Sequence, residues 1–247
     1  MHIHKAGGSS VEASLDQVVK WNDIVLGAQN FDESMEAAFE ARFNLHKHSS
    51  AQHIRSIIGT EIWESYTTWT TVRNPYDRVV SLYCYIASLI EPLLEEKIAA
   101  RHMAAGDIAN WMESDEYPTN GPWDYPASKA YVASKVEARH FSAFIRSPHM
   151  PEEPAYFSQF SQVADSETDQ IIVKEIVKLE TLSESWPDIC AEMNIPAVPL
   201  VIRNETPRQF KIPTVQLLAD PGDRHYLAEV FGCDFDNFGY KTDFSDY

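Results

Sequence analysis

A chain of 247 residues with 37 Asp and Glu against 20 Lys and Arg carries a formal charge of −17, most of it beyond residue 150. Such a field repels nucleic-acid backbones and anionic lipid surfaces, so an anionic ligand must find a local basic pocket. With 44% hydrophobic residues the chain is globular and long enough to bury its own core, and no apolar run approaches the length that spans a bilayer.

Residues 1–4 read as the end of a strand. Residues 9–20, with Val11, Leu15, Val18 and Val19 at helical spacing, read as the helix after it. Residues 23–28 (DIVLGA) form a short apolar strand candidate. Ser49 or Ser50 can cap a helix that turns Ile54, Ile57 and Ile58 to one face and stops at Gly59. Residues 63–72, rich in Thr, Trp and Tyr, predict the best strand of the chain. Pro75 then opens a long helix in which Val79, Leu82, Tyr83, Ile86 and Ile90 recur at three and four residues. Residues 106–165 hold Trp111, Trp123 and many Pro and Tyr; they read as helices joined by long surface loops of the kind that often carry substrate specificity. Residues 170–177 predict a second strand and 182–193 a helix, and in the closing DFDNFGYKTDFSDY the rings are expected to pack inward while the acids face water. This alternation predicts an α/β fold in a single domain, residues 1–247, with 106–165 as an insertion.

Three cysteines, Cys84, Cys190 and Cys233, are odd in number and lack CxxC spacing. They predict neither a disulfide framework nor a zinc site, and a reducing cytoplasm fits them best. The opening MHIHKAGGSS has no apolar signal-peptide core and reads as working structure cut close to its start.

Two segments carry chemistry. His4-Lys5-Ala6-Gly7-Gly8-Ser9-Ser10 lies where a strand should turn into a helix. Glycines there let backbone N–H groups close around an anion, and the helix N-terminus adds positive potential. The segment reads as a phosphate cradle, with a structural Gly-Gly turn as the plainer alternative. It is not a Walker A loop, because its lysine precedes the glycines. The second segment, 71–83 (TVRNPYDRVVSLY), puts Arg73 at a strand exit and Ser81 two turns into the next helix. A guanidinium fork and a hydroxyl can grip a phosphate monoester from two sides. On the plainer reading Arg73 and Arg78 pair with Asp77 or other acids.

Together these segments resemble the sulfotransferase superfamily that uses 3′-phosphoadenosine 5′-phosphosulfate (PAPS), particularly its carbohydrate-sulfating branch. The 5′-phosphosulfate loop of that branch reads like H-I-P-K-T-G-G-T-S, against residues 2–10 here, and its 3′-phosphate motif R-N-P-Y-D-R-x-x-S-x-Y is met at every fixed position from Arg73 to Tyr83. Weaker echoes continue at 46–51, 178–182 and 235–240. The resemblance implies a P-loop-type central parallel sheet flanked by helices, PAPS as co-substrate and 3′-phosphoadenosine 5′-phosphate (PAP) as product. It also implies cofactor-binding roles for Lys5, Gly7, Gly8, Ser9, Ser10, Arg73 and Ser81. Two departures from the pattern matter. His4 replaces the usual proline and frees the backbone there, and Ala6 replaces the usual threonine and removes a hydroxyl.

Sulfuryl transfer is in-line displacement at sulfur. It asks for positioning, a base for the acceptor hydroxyl, and charge neutralisation on the leaving oxygen. Lys5, beside the cradle, is the group able to reach that oxygen, which is also its role by resemblance. For the base, His46 and His48 stand before a helix start in the segment where the resembling enzymes keep a catalytic histidine; His48 is the choice, with His46 and His4 as rivals. His53, His102, His140, His149 and His225 read as surface or satisfied core residues, and H-x-H without a third ligand predicts no metal site. Arg203 and Arg208 fall where the family carries a polar loop near the active site, or in a plain surface loop. The expected activity is sulfuryl transfer from PAPS to a hydroxyl of a small molecule, carbohydrate or glycoconjugate. The rivals are a P-loop small-molecule kinase, disfavoured by the missing Walker A lysine, and a nucleotide-binding protein of the same fold without catalysis.

Overall fold

A computed structural model describes residues 1–20, 23, 26, 33–104, 106–203, 205–245 and 247. In chain order the described helices and strands begin with α1 (Gly8–Leu15), α2 (Glu33–Phe43), α3 (Ala51–Ile58), α4 (Thr60–Ser65), β1 (Trp69–Val72) and α5 (Pro75–Arg101). They continue with α6 (Asp107–Met112), α7 (Pro126–Ser134), α8 (His140–Ile145), α9 (Gln159–Val163), β2 (Ala164–Asp165), β3 (Gln170–Ile171) and β4 (Glu175–Lys178). The last are α10 (Leu182–Glu192), α11 (Thr214–Leu217), α12 (Pro221–Val230) and α13 (Gly232–Phe238). They fall into two compact units. One comprises Met1–Asn74, Ser158–Glu205 and Asp236–Tyr240, the other Pro75–Phe157, Thr206–Phe235 and Lys241–Tyr247.

In the first unit β1 pairs in parallel with β4, from Trp69 opposite Glu175 to Val72 opposite Lys178, while β2 and β3 form a small antiparallel pair. Helices flank this parallel pair, so the α/β expectation holds in the coarse form of a mixed fold with a small parallel sheet. One core joins Ile3, Ala6, Ala51, Trp63, Val72 and Val173. A second joins Val11 of α1 to Leu182, Trp186 and Ile189 of α10. The second unit is helical. Tyr83 of α5 meets Tyr131, Phe141 and Phe144 at ring distances of 5.1–5.4 Å.

Several element boundaries differ from the sequence reading. Residues 1–4 form no strand, although the Thr70 hydroxyl donates to the Met1 carbonyl at 3.2 Å. Helix α1 ends at Leu15, short of residue 20, where the β-branched pair Val18-Val19 closes a turn on the Leu15 carbonyl. The expected strand over 63–72 begins only at Trp69. Gly59 stops α3 and α4 starts at once, carrying Trp63 into the core with its indole N–H on the Ile172 carbonyl at 3.0 Å. The expected strand over 170–177 is split because its halves have different partners, β2 and β1. Lys174 pins the break through its N–H on Thr68 Oγ1 and its ammonium on the carbonyls of Glu64 and Tyr66. The strand candidate at 23–28 lies largely outside the described residues.

Other expectations hold. Ser50, not Ser49, caps α3 by accepting the His53 N–H, and Ser49 instead accepts the His46 N–H at 3.0 Å. Pro75 starts the 27-residue α5, and residues 182–192 are helical. Residues 106–165 do contain short helices, yet Trp111, Tyr117 and Trp123 form a buried cluster, with Trp123 edge-on to the other two rings, rather than dressing surface loops. At the C-terminus Phe235 and Phe238 are buried as expected, whereas Asp234 is fully buried beside Arg78 instead of facing water. The three cysteines are free thiols, Cys84 and Cys190 buried and Cys233 exposed. No helix among the described residues is long and apolar enough to cross a membrane.

Candidate active site

The cradle segment folds as a tight approach to α1. Lys5 takes the left-handed conformation at φ 62°, uncommon for a residue with a Cβ and characteristic of functional loops. Gly7, at φ 86°, is the N-cap of α1 and makes no side-chain cap bond to the first turn. A Cβ on Gly7 would lie 2.5 Å from Leu179 Cδ1, and one on Gly8 would lie 2.0 Å from the His2 ring. Glycine at both positions lets the loop lie close to its neighbours. Ser10 Oγ accepts the Arg203 N–H at 3.0 Å and Ser14 Oγ accepts the Val201 N–H at 2.7 Å, which docks the chain at 201–203 along α1. Ser9 stands half-buried on the first turn.

Arg73 leaves β1 beside this loop, and its guanidinium Nη1 donates to the Lys5 carbonyl at 3.5 Å. The two sequence motifs thus meet at the backbone of Lys5. Two residues that sequence reasoning missed hold the backbone here. The Gln159 amide accepts the Arg73 N–H at 2.9 Å and donates to the Arg73 carbonyl at 2.8 Å. Glu180 accepts the next N–H, from Asn74, at 2.8 Å, and the Tyr240 hydroxyl at 2.9 Å. Ser81 lies half-buried on α5, in the other unit; Arg208, in a short 3-10 turn of that unit, is exposed.

The histidines form one group against the cradle. His48 Nδ1 bonds the His2 carbonyl at 2.9 Å; since a carbonyl only accepts, the proton sits on Nδ1 and the lone pair on Nε2. The His4 ring stacks on His48 with centroids 3.4 Å apart, and His2 lies 4.6 Å away with its own Nδ1 on Glu12 at 2.7 Å. Burial pulls His48 down to about 4, helped by the neighbouring charges of His2, Lys47 and His46 and opposed by the bond to the His2 carbonyl. The ring is therefore neutral at pH 7, the form that a base needs. His46 is exposed and accepts the His48 N–H on Nδ1 at 3.2 Å, while His53 and His140 are occupied by backbone carbonyls. His2, whose carbonyl sets the His48 tautomer, had no signal of its own beyond its place in the motif.

A model of the sulfotransferase family matches residues 1–241 of the 247. The chain belongs to the sulfotransferase family. No curated protein and no solved structure gives a match. The match bears out the resemblance read from the two motifs, and it favours sulfuryl transfer over the kinase reading.

In a sulfotransferase built this way, Gly8→Ala should act at a distance from its own backbone. The new methyl would push the His2 ring aside and move the carbonyl that orients His48. With His48 as the base, the expected result is a fall in kcat of about tenfold or more, because small displacements of a positioned base are costly. Steady-state kinetics with unchanged kcat would remove His2 from the account.

Proposed function

We propose that the chain transfers a sulfuryl group from PAPS to a hydroxyl of a carbohydrate, glycoconjugate or small hydroxylated acceptor, within a P-loop-type arrangement of sheet and helices. The carrying observation is the meeting of Lys5, Arg73 and the uncapped α1 N-terminus beside a neutral His48 whose lone pair is on Nε2. PAPS, when bound, supplies the sulfuryl group and leaves as PAP. Lys5 stabilises the bridging oxygen as it gains charge. Gly7, Gly8, Ser9 and Ser10 hold the 5′-phosphate against the helix N-terminus. Arg73 holds the 3′-phosphate. Ser81 is assigned to the same phosphate on its motif position alone. His48 takes the acceptor proton on Nε2 while its Nδ1–H stays on the His2 carbonyl.

Incubation with 35S-labelled PAPS and a panel of neutral sugars and glycosides tests the reading. Label transfer with matching release of PAP is expected, and activity should survive EDTA, since Lys and Arg supply the charge that a kinase takes from Mg²⁺. PAP binding without turnover on any acceptor would favour a member of the fold without catalysis.

The base assignment fixes a pH profile. His48 works when deprotonated and titrates at about 4 in the free protein. Its acid limb in kcat/KM should therefore lie near pH 4–5, leaving activity flat through pH 6.5. The limb in kcat should sit higher, because the negative charges of the bound nucleotide favour the imidazolium. A free-enzyme limb near 6.5 would contradict the assignment of the base to His48.

Acceptor charge follows from the net charge of −17. A dense polyanion is opposed by that field, so neutral saccharides should be sulfated faster than heparan or chondroitin chains. Preference for the polyanion at low salt, weakened as salt shortens the screening length, would reveal a basic groove and reverse this expectation.

A further inference from the structure

Beyond Val72 the parallel ladder with β4 ends, so the backbone of Arg73 has no strand to pair with at the point where its side chain must be aimed. Gln159 fills that gap. Its side-chain amide is itself a peptide-like group, and it makes both bonds that a neighbouring strand would make, accepting from Arg73 N–H and donating to Arg73 C=O. The side chain is fully buried, so water does not compete for those bonds. Gln159 is also the first residue of α9, which packs through Val163 into the core that holds Val72, so the amide rides on a rigid element. Glu180 pins the following N–H, of Asn74, and leaves the Arg73-Asn74 segment fixed from two distant parts of the chain.

We infer that Gln159 is a positioning residue for the nucleotide 3′-phosphate. By completing the hydrogen bonds of the Arg73 backbone it fixes the direction in which the guanidinium leaves the sheet. This inference rests on the proposed PAPS site and assigns Gln159 a part in choosing 3′-phosphorylated over plain adenosine nucleotides. The ordinary alternative is a buried amide that merely stabilises the loop. The two differ in what they do to selectivity. A loop stabiliser changes melting temperature and affects PAP and AMP alike, whereas a positioning residue changes the ratio of the two affinities.

The experiment is calorimetric titration of PAP and AMP into the wild type, Gln159→Met, Arg73→Ala and the double variant, with a ligand-free melting curve for each. Gln159→Met keeps the length of the side chain and removes both bonds. It should lower PAP affinity about tenfold and leave AMP affinity within about twofold, and in the Arg73→Ala background it should have no further effect on the ratio. If Gln159→Met does not fold, Gln159→Glu takes its place; it retains the acceptor for the Arg73 N–H and turns an oxygen on the Arg73 carbonyl, with the same expected loss of ratio. An unchanged PAP-to-AMP ratio, or an equal loss with Arg73 already removed, would overturn the positioning role. Failure of the wild type to distinguish PAP from AMP would instead overturn the proposed PAPS site itself.

Discussion

Replacing Lys5 or His48 by alanine is expected to reduce turnover by about a hundredfold or more, with opposite consequences for nucleotide binding. Lys5 stands at the left-handed turn of the cradle; in the proposed role its ammonium would neutralise both the phosphosulfate and the leaving oxygen, so its loss should weaken PAP binding as well as kcat. His48 is proposed to act on the acceptor hydroxyl and not on the nucleotide. Its alanine variant should bind PAP like the wild type and lose the proton-transfer contribution, typically a hundred- to ten-thousandfold effect of a positioned base. Single-turnover rates with calorimetric PAP affinities separate the two. Retained activity in His48→Ala together with its loss in His46→Ala would move the base to the exposed member of the pair.

The two arginines of the segment 71–83 should separate just as sharply, into binding and stability. Arg78 is fully buried; it donates to the carbonyls of Ala155 at 2.9 Å and Phe157 at 2.7 Å, lies over the Phe231 ring, and is 3.8 Å from the fully buried Asp234. Arg78→Ala strands that carboxylate without its cation and leaves two carbonyls unpaired, which costs about 3–5 kcal/mol. Melting temperature should fall by about 10 °C or more. Arg73→Ala, by contrast, removes a half-exposed side chain and should change melting temperature little while lowering PAP affinity about a hundredfold. Similar melting temperatures for both variants would show that the buried pair does not matter to stability. The charged motif read from the sequence thus contains one half-exposed arginine, proposed to hold the ligand, and one fully buried arginine, and only burial tells them apart.

What the sequence made legible is what depends on neighbours along the chain. The Ser50 cap, the Gly59 stop and the Pro75 start are local chemistry, and each appears where expected. Lys5, the two glycines and Arg73 were legible for the same reason, since each belongs to a contiguous motif. Boundaries set by tertiary partners were not. Trp63 and Ile172 carry strand-like neighbours, yet the indole bond between them and the divided pairing of 170–178 decide where the strands begin. The supporting residues of the site were illegible altogether, because Gln159 and Glu180 reach Arg73 and Asn74 across 86 and 106 residues of chain. The tautomer of His48 was likewise not legible, because a carbonyl 46 residues away sets it.

The central claim is a site built for a nucleotide that carries phosphates at both the 5′ and 3′ positions, and thermal unfolding with PAP or AMP measures it directly. At about a hundred times its Kd a ligand contributes roughly 2.7 kcal/mol, which for a chain of this size is on the order of 5–10 °C. PAP is expected to raise the melting temperature by that amount, while AMP at the same concentration raises it by a small fraction of it and the Arg73→Ala variant shows the small shift with both. Equal shifts from PAP and AMP in the wild type would contradict the account.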